Sequence, residues 1–151
     1  MGYITPPEKF LHVADAAYLA GLIDGEGSIA LWRGYRKDGV MRTYRPVIEI
    51  SNTHEGVLQW VADLIGAGWF SCTNKKNARE KGHKELHRFR FRTTDLHWII
   101  PQIRPYLKIK GEQADLLVEY FKQVTSTRPK NREGLASLHE QFATLNHRGS
   151  S

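Results

Sequence analysis

The sequence predicts an α+β fold, an antiparallel sheet with helices packed on one face and the other face left for a partner. Three observations predict it. Segments with helical and strand periodicity follow one another in the order α-β-β-α-β-β-α, with further helices behind them. In "HRFRFR", His87, Phe89 and Phe91 point to one side and Arg88, Arg90 and Arg92 to the other, the period-2 pattern of a half-buried strand. Basic residues gather on the strand segments and their hairpin loops.

The first helix is expected from about Pro7 to Asp24. Pro6 and Pro7 suit a first turn, and Phe10, Val13, Ala14, Ala17, Leu19, Ala20 and Ile23 recur at helical spacing until Gly25 and Gly27 stop it. Ser28 to Arg36 and Arg42 to Asn52 read as strands rich in Ile, Val, Trp and Tyr, joined into a hairpin by the turn signal Lys37-Asp38-Gly39. After Thr53 comes a second helix, whose stripe of Val57, Leu58, Val61, Leu64 and Ile65 ends at Gly66 and Gly68. Trp69 to Thr73 and Leu86 to Thr94 form a second strand pair around the polar loop "NKKNAREKGHKE". A short helix, Leu96 to Ile103, closes at Pro105. A longer one, Gly111 to Thr125, carries Ala114, Leu117, Val118 and Phe121 on its apolar side, and a last one runs from about Arg132 to Leu145.

A chain of 151 residues with 40% hydrophobic content can bury one real core, so residues 1–151 are expected to form a single domain. Its central unit spans about 10–127 and its C-terminal helix about 130–146. No run of about 18 apolar residues is present, and "MGYITPPEKF" lacks the layout of a secretory signal. The expectation is an intracellular protein with no membrane partner, placed in a prokaryotic cytoplasm or an organelle. The single cysteine, Cys72, excludes an internal disulfide framework and is expected to be an inert, buried or half-buried thiol.

Twenty-two Lys and Arg against 16 Asp and Glu give a net charge of +6. A polyanion is therefore the first partner to consider. Arg33, Arg36, Lys37, Arg42, Arg45, Lys75, Lys76, Arg79, Arg88, Arg90 and Arg92 all fall on the expected strands or hairpin loops. That is the electrostatic footprint of a sheet laid on a phosphate backbone. Trp32 and Tyr35, on the first hairpin, and Glu49, on its second strand, join them as candidate residues for contact with that backbone, which the resemblance described below implies is DNA. Phe89, Phe91, Trp98 and Trp60 are assigned by their periodicity to the core.

In "YLAGLIDGEGSIALW", Tyr18 to Trp32, the helix end carries two carboxylates, Asp24 and Glu26. The C-terminus of a helix is its negative pole, where an exposed acid is unfavourable by about 0.3–1 kcal/mol. A divalent cation would reverse that sign, because it accepts both the carboxylates and the free carbonyls of the last turn. Mg²⁺ at phosphoryl-transfer sites is usually held by one or two carboxylates with carbonyls, waters and phosphates. Gly21 and Gly25 lie four residues apart, with Ala17 one turn earlier, and permit close approach of a second helix. If that helix belongs to a second copy of the chain, a two-fold axis brings two copies of Glu26 together.

"LAGLIDGEG", Leu19 to Gly27, resembles the signature of the LAGLIDADG homing endonucleases, with Gly25 in place of Ala and Glu26 in place of Asp. The resemblance extends to the αββαββα order, to "LIGAG" at Leu64 to Gly68, and to "PYLKIKGEQADL" at Pro105 to Leu116. It implies a sheet whose open face is a DNA-binding saddle. In the residues that match, it implies Glu26 as the essential metal-binding acid, with the Gly25 carbonyl as a neighbouring ligand. Lys110 matches the basic residue that acts on the scissile phosphate or its water, and Asn52 the polar residue that orients the water. Asp24 matches the first acid of the signature, with a role more structural than catalytic.

"WVADLIGAG", Trp60 to Gly68, mimics the signature without an acid at the decisive place. One motif per chain implies a homodimer, with Ala17, Gly21, Asp24 and Gly25 at its interface, on a pseudo-palindromic double-stranded DNA target. The implied activity is Mg²⁺-dependent hydrolysis of both strands in intron homing, with Mn²⁺ able to substitute. The alternative on the same fold is an RNA maturase or a non-cleaving DNA-binding protein. His83 and His87 have a metal-binding spacing, but beside a hairpin loop they are expected to be solvated or to meet phosphate.

Overall fold

In the computed structural model, which describes residues 9–35, 37–39, 41–73, 82, 84–124 and 132–149, helix α1 (Val13–Glu26) feeds directly into β1 (Gly27–Tyr35). Then follow β2 (Met41–Asn52), α2 (Glu55–Ile65), β3 (Trp69–Cys72), β4 (His87–Arg90) and α3 (Thr93–Ile103). After a 3₁₀ turn (Arg104–Tyr106) come α4 (Gly111–Val124) and α5 (Arg132–Gly149). The four strands make one antiparallel sheet in the order β1-β2-β4-β3.

Strand alternation decides which side is core. Ile29 and Leu31 of β1, Tyr44, Ile48 and Ile50 of β2, and Phe89 of β4 are buried on the face that the helices cover. Against them pack Leu19, Ala20 and Ile23 of α1, Leu58 and Val61 of α2, and Leu96, Ile99, Ile100 and Ile103 of α3. Ala114 and Leu117 of α4 and Leu135, Leu138 and Phe142 of α5 complete the layer. Each fully buried Leu, Ile or Phe of this kind contributes about 1.5–3 kcal/mol. The expected α+β plan, helices on one face and the other face open, is the observed one.

Helix α1 begins at Val13 rather than near Pro7, and Pro6 and Pro7 lie outside the described residues. The cause is tertiary. The Leu11 N–H donates to Gln102 Oε1 (2.7 Å) and Gln102 Nε2 donates to the Lys9 carbonyl (3.1 Å), which hold the approach strand against α3. His12, with ψ 149°, is then the N-cap. At the other end Gly25 does not stop the helix. Gly25 and Glu26 complete its last turn, and Gly27 caps it by donating to the Ile23 carbonyl.

The second hairpin is shorter than expected, because β4 ends at Arg90 and Arg92 is already the N-cap of α3. Helix α3 starts at Thr93 rather than Leu96, and α5 continues to Gly149. Gly68 turns the chain into β3 at φ +145°, where a Cβ would lie 2.3 Å from Phe89 Cζ. Cys72 is exposed on the edge strand β3, not buried. Among the described residues no helix is long and apolar enough to cross a membrane.

Candidate functional site

The end of α1 is clamped from the other side of the chain. Asp24 is buried, and its carboxylate accepts from the main-chain N–H groups of Lys108 (2.8 Å), Ile109 (3.2 Å) and Lys110 (2.9 Å). Lys110 Nζ donates in return to the Asp24 carbonyl at 2.7 Å. The acid at the negative pole is thus offset by three donors and by a cation on a free carbonyl of the last turn. Gly27 sits where a Cβ would come within 3.0 Å of the Ile23 backbone and 3.2 Å of the Glu49 carbonyl, so the helix end is pressed against β2.

Glu26, one turn position from this clamp, is exposed as the last residue of α1. The structure therefore joins Asp24 to Lys110 and places Gly25 and Glu26 in the turn that follows, with Glu26 facing outward. Asn52 closes β2, and its Oδ1 accepts from the His54 N–H at 2.8 Å, while His54 Nδ1 accepts from Val57 N–H and caps α2. In this arrangement Asn52 can offer a water its NH₂ group, since its oxygen is committed to the turn.

The donor set at the α1 end suits a hard divalent cation in part. No group of three or more His, Cys, Asp or Glu capable of holding a metal occurs among the described residues. One exposed carboxylate beside last-turn carbonyls is the share that a protein chain supplies when phosphate oxygens and waters complete the coordination of Mg²⁺.

The open face of the sheet follows from register. Ser28, Ala30 and Trp32 of β1 pair with Glu49, Val47 and Arg45 of β2, and Glu49 and Ser51 pair with Arg90 and Arg88 of β4. Trp69 and Ser71 of β3 extend the row beyond Arg90 and Arg88. Trp32 carries two cations over its ring, Arg90 at 4.6 Å and Arg45 at 5.5 Å. The guanidinium of Arg90 donates from Nε (3.1 Å) and Nη2 (2.9 Å) to Glu49 Oε2.

Several expected DNA-binding residues stand elsewhere. Arg92 has left the sheet: its guanidinium donates from Nε to Asp95 Oδ2 (2.8 Å) and from Nη2 to Asp95 Oδ1 (3.2 Å) at the start of α3. Arg33 pairs with Tyr44 and so belongs to the helix-covered face. There Tyr44 meets the His139 ring of α5, whose pKa is lowered by burial and by the Arg33 charge, against an opposing pull from Glu140. A register shift at Gly34/Tyr35 leaves Tyr35 exposed at the hairpin end, with Lys37 exposed in the turn. Arg36, Lys75, Lys76, Arg79 and His83, and the side chain of Arg42, lie outside the described residues.

His87 is neither solvated nor available to phosphate. It is buried on the core face beside Phe70. Phe89, Phe91 and Trp98 are buried as their periodicity implies, and Trp60 packs edge-on against Tyr18 at 5.1 Å. Sequence reasoning missed Trp69, exposed on the open face next to Arg90; the signal was its two-residue spacing from Ser71 in a strand paired with the alternating arginines.

Helix α1 is apolar on both sides. Ala16, Leu19, Ala20 and Ile23 face the core, whereas Ala14, Ala17, Tyr18, Gly21 and Gly25 line the outer side. Val13 (66% exposed) and Tyr18 (56%) are left in the open. A helix that is apolar all round is normally buried all round. Nothing lies within 4 Å of a Cβ built on Gly21 or Gly25, so both glycines leave room for a neighbour. Asp24, expected at the same interface, instead turns inward to residues 108–110, because its three N–H donors are there.

An αββαββα unit that carries an acid at the end of its first helix beside an antiparallel sheet has the fold of solved LAGLIDADG homing endonucleases. The relatives are particular. The chain is 26% identical over 136 residues to the DNA endonuclease I-CreI of Chlamydomonas reinhardtii, covering 85% of this chain and 77% of that protein. The homing endonuclease I-CvuI, solved with its target in the presence of calcium, superposes with a TM-score of 0.70 at 22% identity over 88% of this chain and 82% of its own. The LAGLIDADG homing endonuclease I-GzeII, solved with a DNA target, gives a TM-score of 0.63 at 22% identity over 92% of this chain but 45% of its own. No protein-family model matches the sequence.

Proposed function

We propose that the chain is a site-specific homing endonuclease that acts as a homodimer and hydrolyses both strands of a long pseudo-palindromic DNA target with a divalent cation, Mg²⁺ in the first instance. The observation that carries this reading is the exposed Glu26 at the end of α1, two residues beyond Asp24, whose carbonyl Lys110 Nζ holds, and directly before β1 of the sheet. The carboxylate of Glu26 and the carbonyl of Gly25 would hold the cation. Bound there, the cation supplies Lewis-acid activation of water and of the scissile phosphate.

Lys110 brings an ammonium to the place where negative charge develops on the phosphate, and its main chain is fixed by Asp24. The NH₂ group of Asn52 is the one its turn leaves available for a water. The sheet lies in the major groove, with Arg45, Arg88 and Arg90 on the face toward DNA. The outer side of α1 supports the homodimer, and so does a match to less than half of I-GzeII, as expected if two such units complete one site. An RNA maturase or a non-cleaving binder is the weaker reading, since Glu26 is present and exposed.

The test uses the genomic sequence that flanks the reading frame, joined without it, as duplex substrate. Double-strand cuts that require Mg²⁺ are expected. Glu26→Gln should abolish cutting while binding in Ca²⁺ stays within a few-fold of the parent. A protein that binds the junction tightly and never nicks it overturns the enzymatic reading.

A further inference from the structure

The open sheet face carries a cluster of side chains that hold one another in place. Val47 lies on this face between Arg45 and Glu49, outside the main core, yet it is only 1% exposed. On the same face Trp32 is paired beside Arg45, and the long side chain of Arg90 reaches from β4 across β2 to the Trp32 ring while it bonds Glu49. A guanidinium stacked on an indole and bonded to a carboxylate has lost most of its rotamer freedom before anything binds.

Which edge of Arg90 remains is equally defined. The Nε and Nη2 side is spent on Glu49 Oε2, and among the described residues Nη1 has no acceptor. What is left is the end-on fork of Nη1 and Nη2, two parallel donors that match the O6 and N7 acceptors of guanine in the major groove. Neutralised by Glu49, Arg90 is a poor counterion for phosphate, so its positive charge adds little to sequence-independent affinity. The Glu49 carboxylate, half-buried beside it, also repels a phosphate that would compete for the same fork.

We propose that Arg90 is a specificity-determining residue that reads one guanine in each half-site, with Glu49 and Trp32 as the residues that position its guanidinium. The inference rests on the endonuclease reading for the presence of DNA on this face. Arg45, over the same indole, has no ion pair among the described residues and takes the phosphate side.

The probe is a randomised double-stranded DNA library, selected for binding in Ca²⁺ and sequenced, with thermal unfolding of each variant as the folding control. The parent protein should enrich a two-fold symmetric consensus with guanine at one position per half-site. Arg90→Lys keeps the charge and loses the fork, and should lower the guanine preference at that position by about 5- to 100-fold while leaving other positions unchanged. Glu49→Gln, nearly isosteric, should keep guanine with a reduced preference and steepen the salt dependence of binding, because the Arg90 charge is no longer neutralised. Should Arg90→Lys fail to fold, Glu49→Gln carries the test alone. Unchanged preferences at every position in both variants overturn the assignment, and so does a loss of affinity spread evenly over all sequences. A parent protein that enriches no sequence overturns the endonuclease reading and this inference with it; one that enriches a consensus indifferent to Arg90 overturns this inference only.

Discussion

Asp24 and Lys110, 86 residues apart, hold each other by main chain and side chain at once: the Asp24 carboxylate accepts the Lys110 N–H at 2.9 Å, and Lys110 Nζ donates to the Asp24 carbonyl at 2.7 Å. The acid of the pair keeps the base in place. Asp24→Asn replaces one of the accepting oxygens by an NH₂ that faces main-chain donors, which should cost about 1–3 kcal/mol of stability. If Asp24 acts through Lys110, cleavage by this variant should fall even where denaturant titration shows it fully folded, with binding in Ca²⁺ largely kept. Full cleavage by a folded Asp24→Asn would remove the positioning role.

The outer side of α1 can be tested without touching the site. Since a side chain at Gly21 meets nothing within 4 Å in one chain, Gly21→Ala should stabilise an isolated protomer by about 0.5–1 kcal/mol through helix propensity. Gly21→Phe should leave the protomer folded and shift the sedimentation mass from dimer to monomer. An unchanged dimer mass would place the interface elsewhere.

Acid should weaken the start of α3. Burial alone would raise the Asp95 carboxyl, but hydrogen bonds from the Arg92 guanidinium and the Trp98 indole (3.1 Å), with the charges of Arg92 and Lys9, bring it below its ordinary 3.8. A depressed folded-state pKa contributes stability above the ordinary value and loses it as the pH falls through the folded one. The melting temperature should therefore drop on acidification below about pH 3.8, and Asp95→Asn should lower it at neutral pH and flatten that acid limb. Parallel profiles for the two proteins would contradict this account.

Gly68 cannot be replaced cheaply. A Cβ there would lie 2.3 Å from Phe89 Cζ at a φ of +145°, so Gly68→Ala should cost about 2–4 kcal/mol from overpacking and backbone strain together. Chemical denaturation reads it directly, and a loss below 1 kcal/mol would show that β3 yields easily.

Much of this architecture is legible in the chain because it rests on local periodicity. The Phe89/Arg88 alternation, the apolar stripe of α2 and the Lys37-Asp38-Gly39 turn each depend on neighbours a few residues away, and each element stands within a few residues of its expected place. The departures have one kind of cause, a partner distant in sequence. Gln102 holds residues 9 and 11 and delays α1; Asp95 draws Arg92 off the sheet into a helix cap; the pairing of Arg33 with Tyr44 puts it on the helix side. The twofold apolar character of α1 was visible as small residues four apart, but only the packed core shows which side is left over.

The α+β plan, the basic strands and the acid at the end of α1 are readable in the chain alone, since periodicity, charge and a contiguous signature need no third dimension. Only the packed chain shows which of two neighbouring carboxylates is exposed and which arginine is held by a carboxylate and an indole. Asp24 is taken by amides 84 to 86 residues away and Arg90 by a carboxylate 41 residues away. Hydrogen bonds of that range depend on where the folded backbone brings donors and acceptors together, and that is encoded by the whole core rather than by any local stretch.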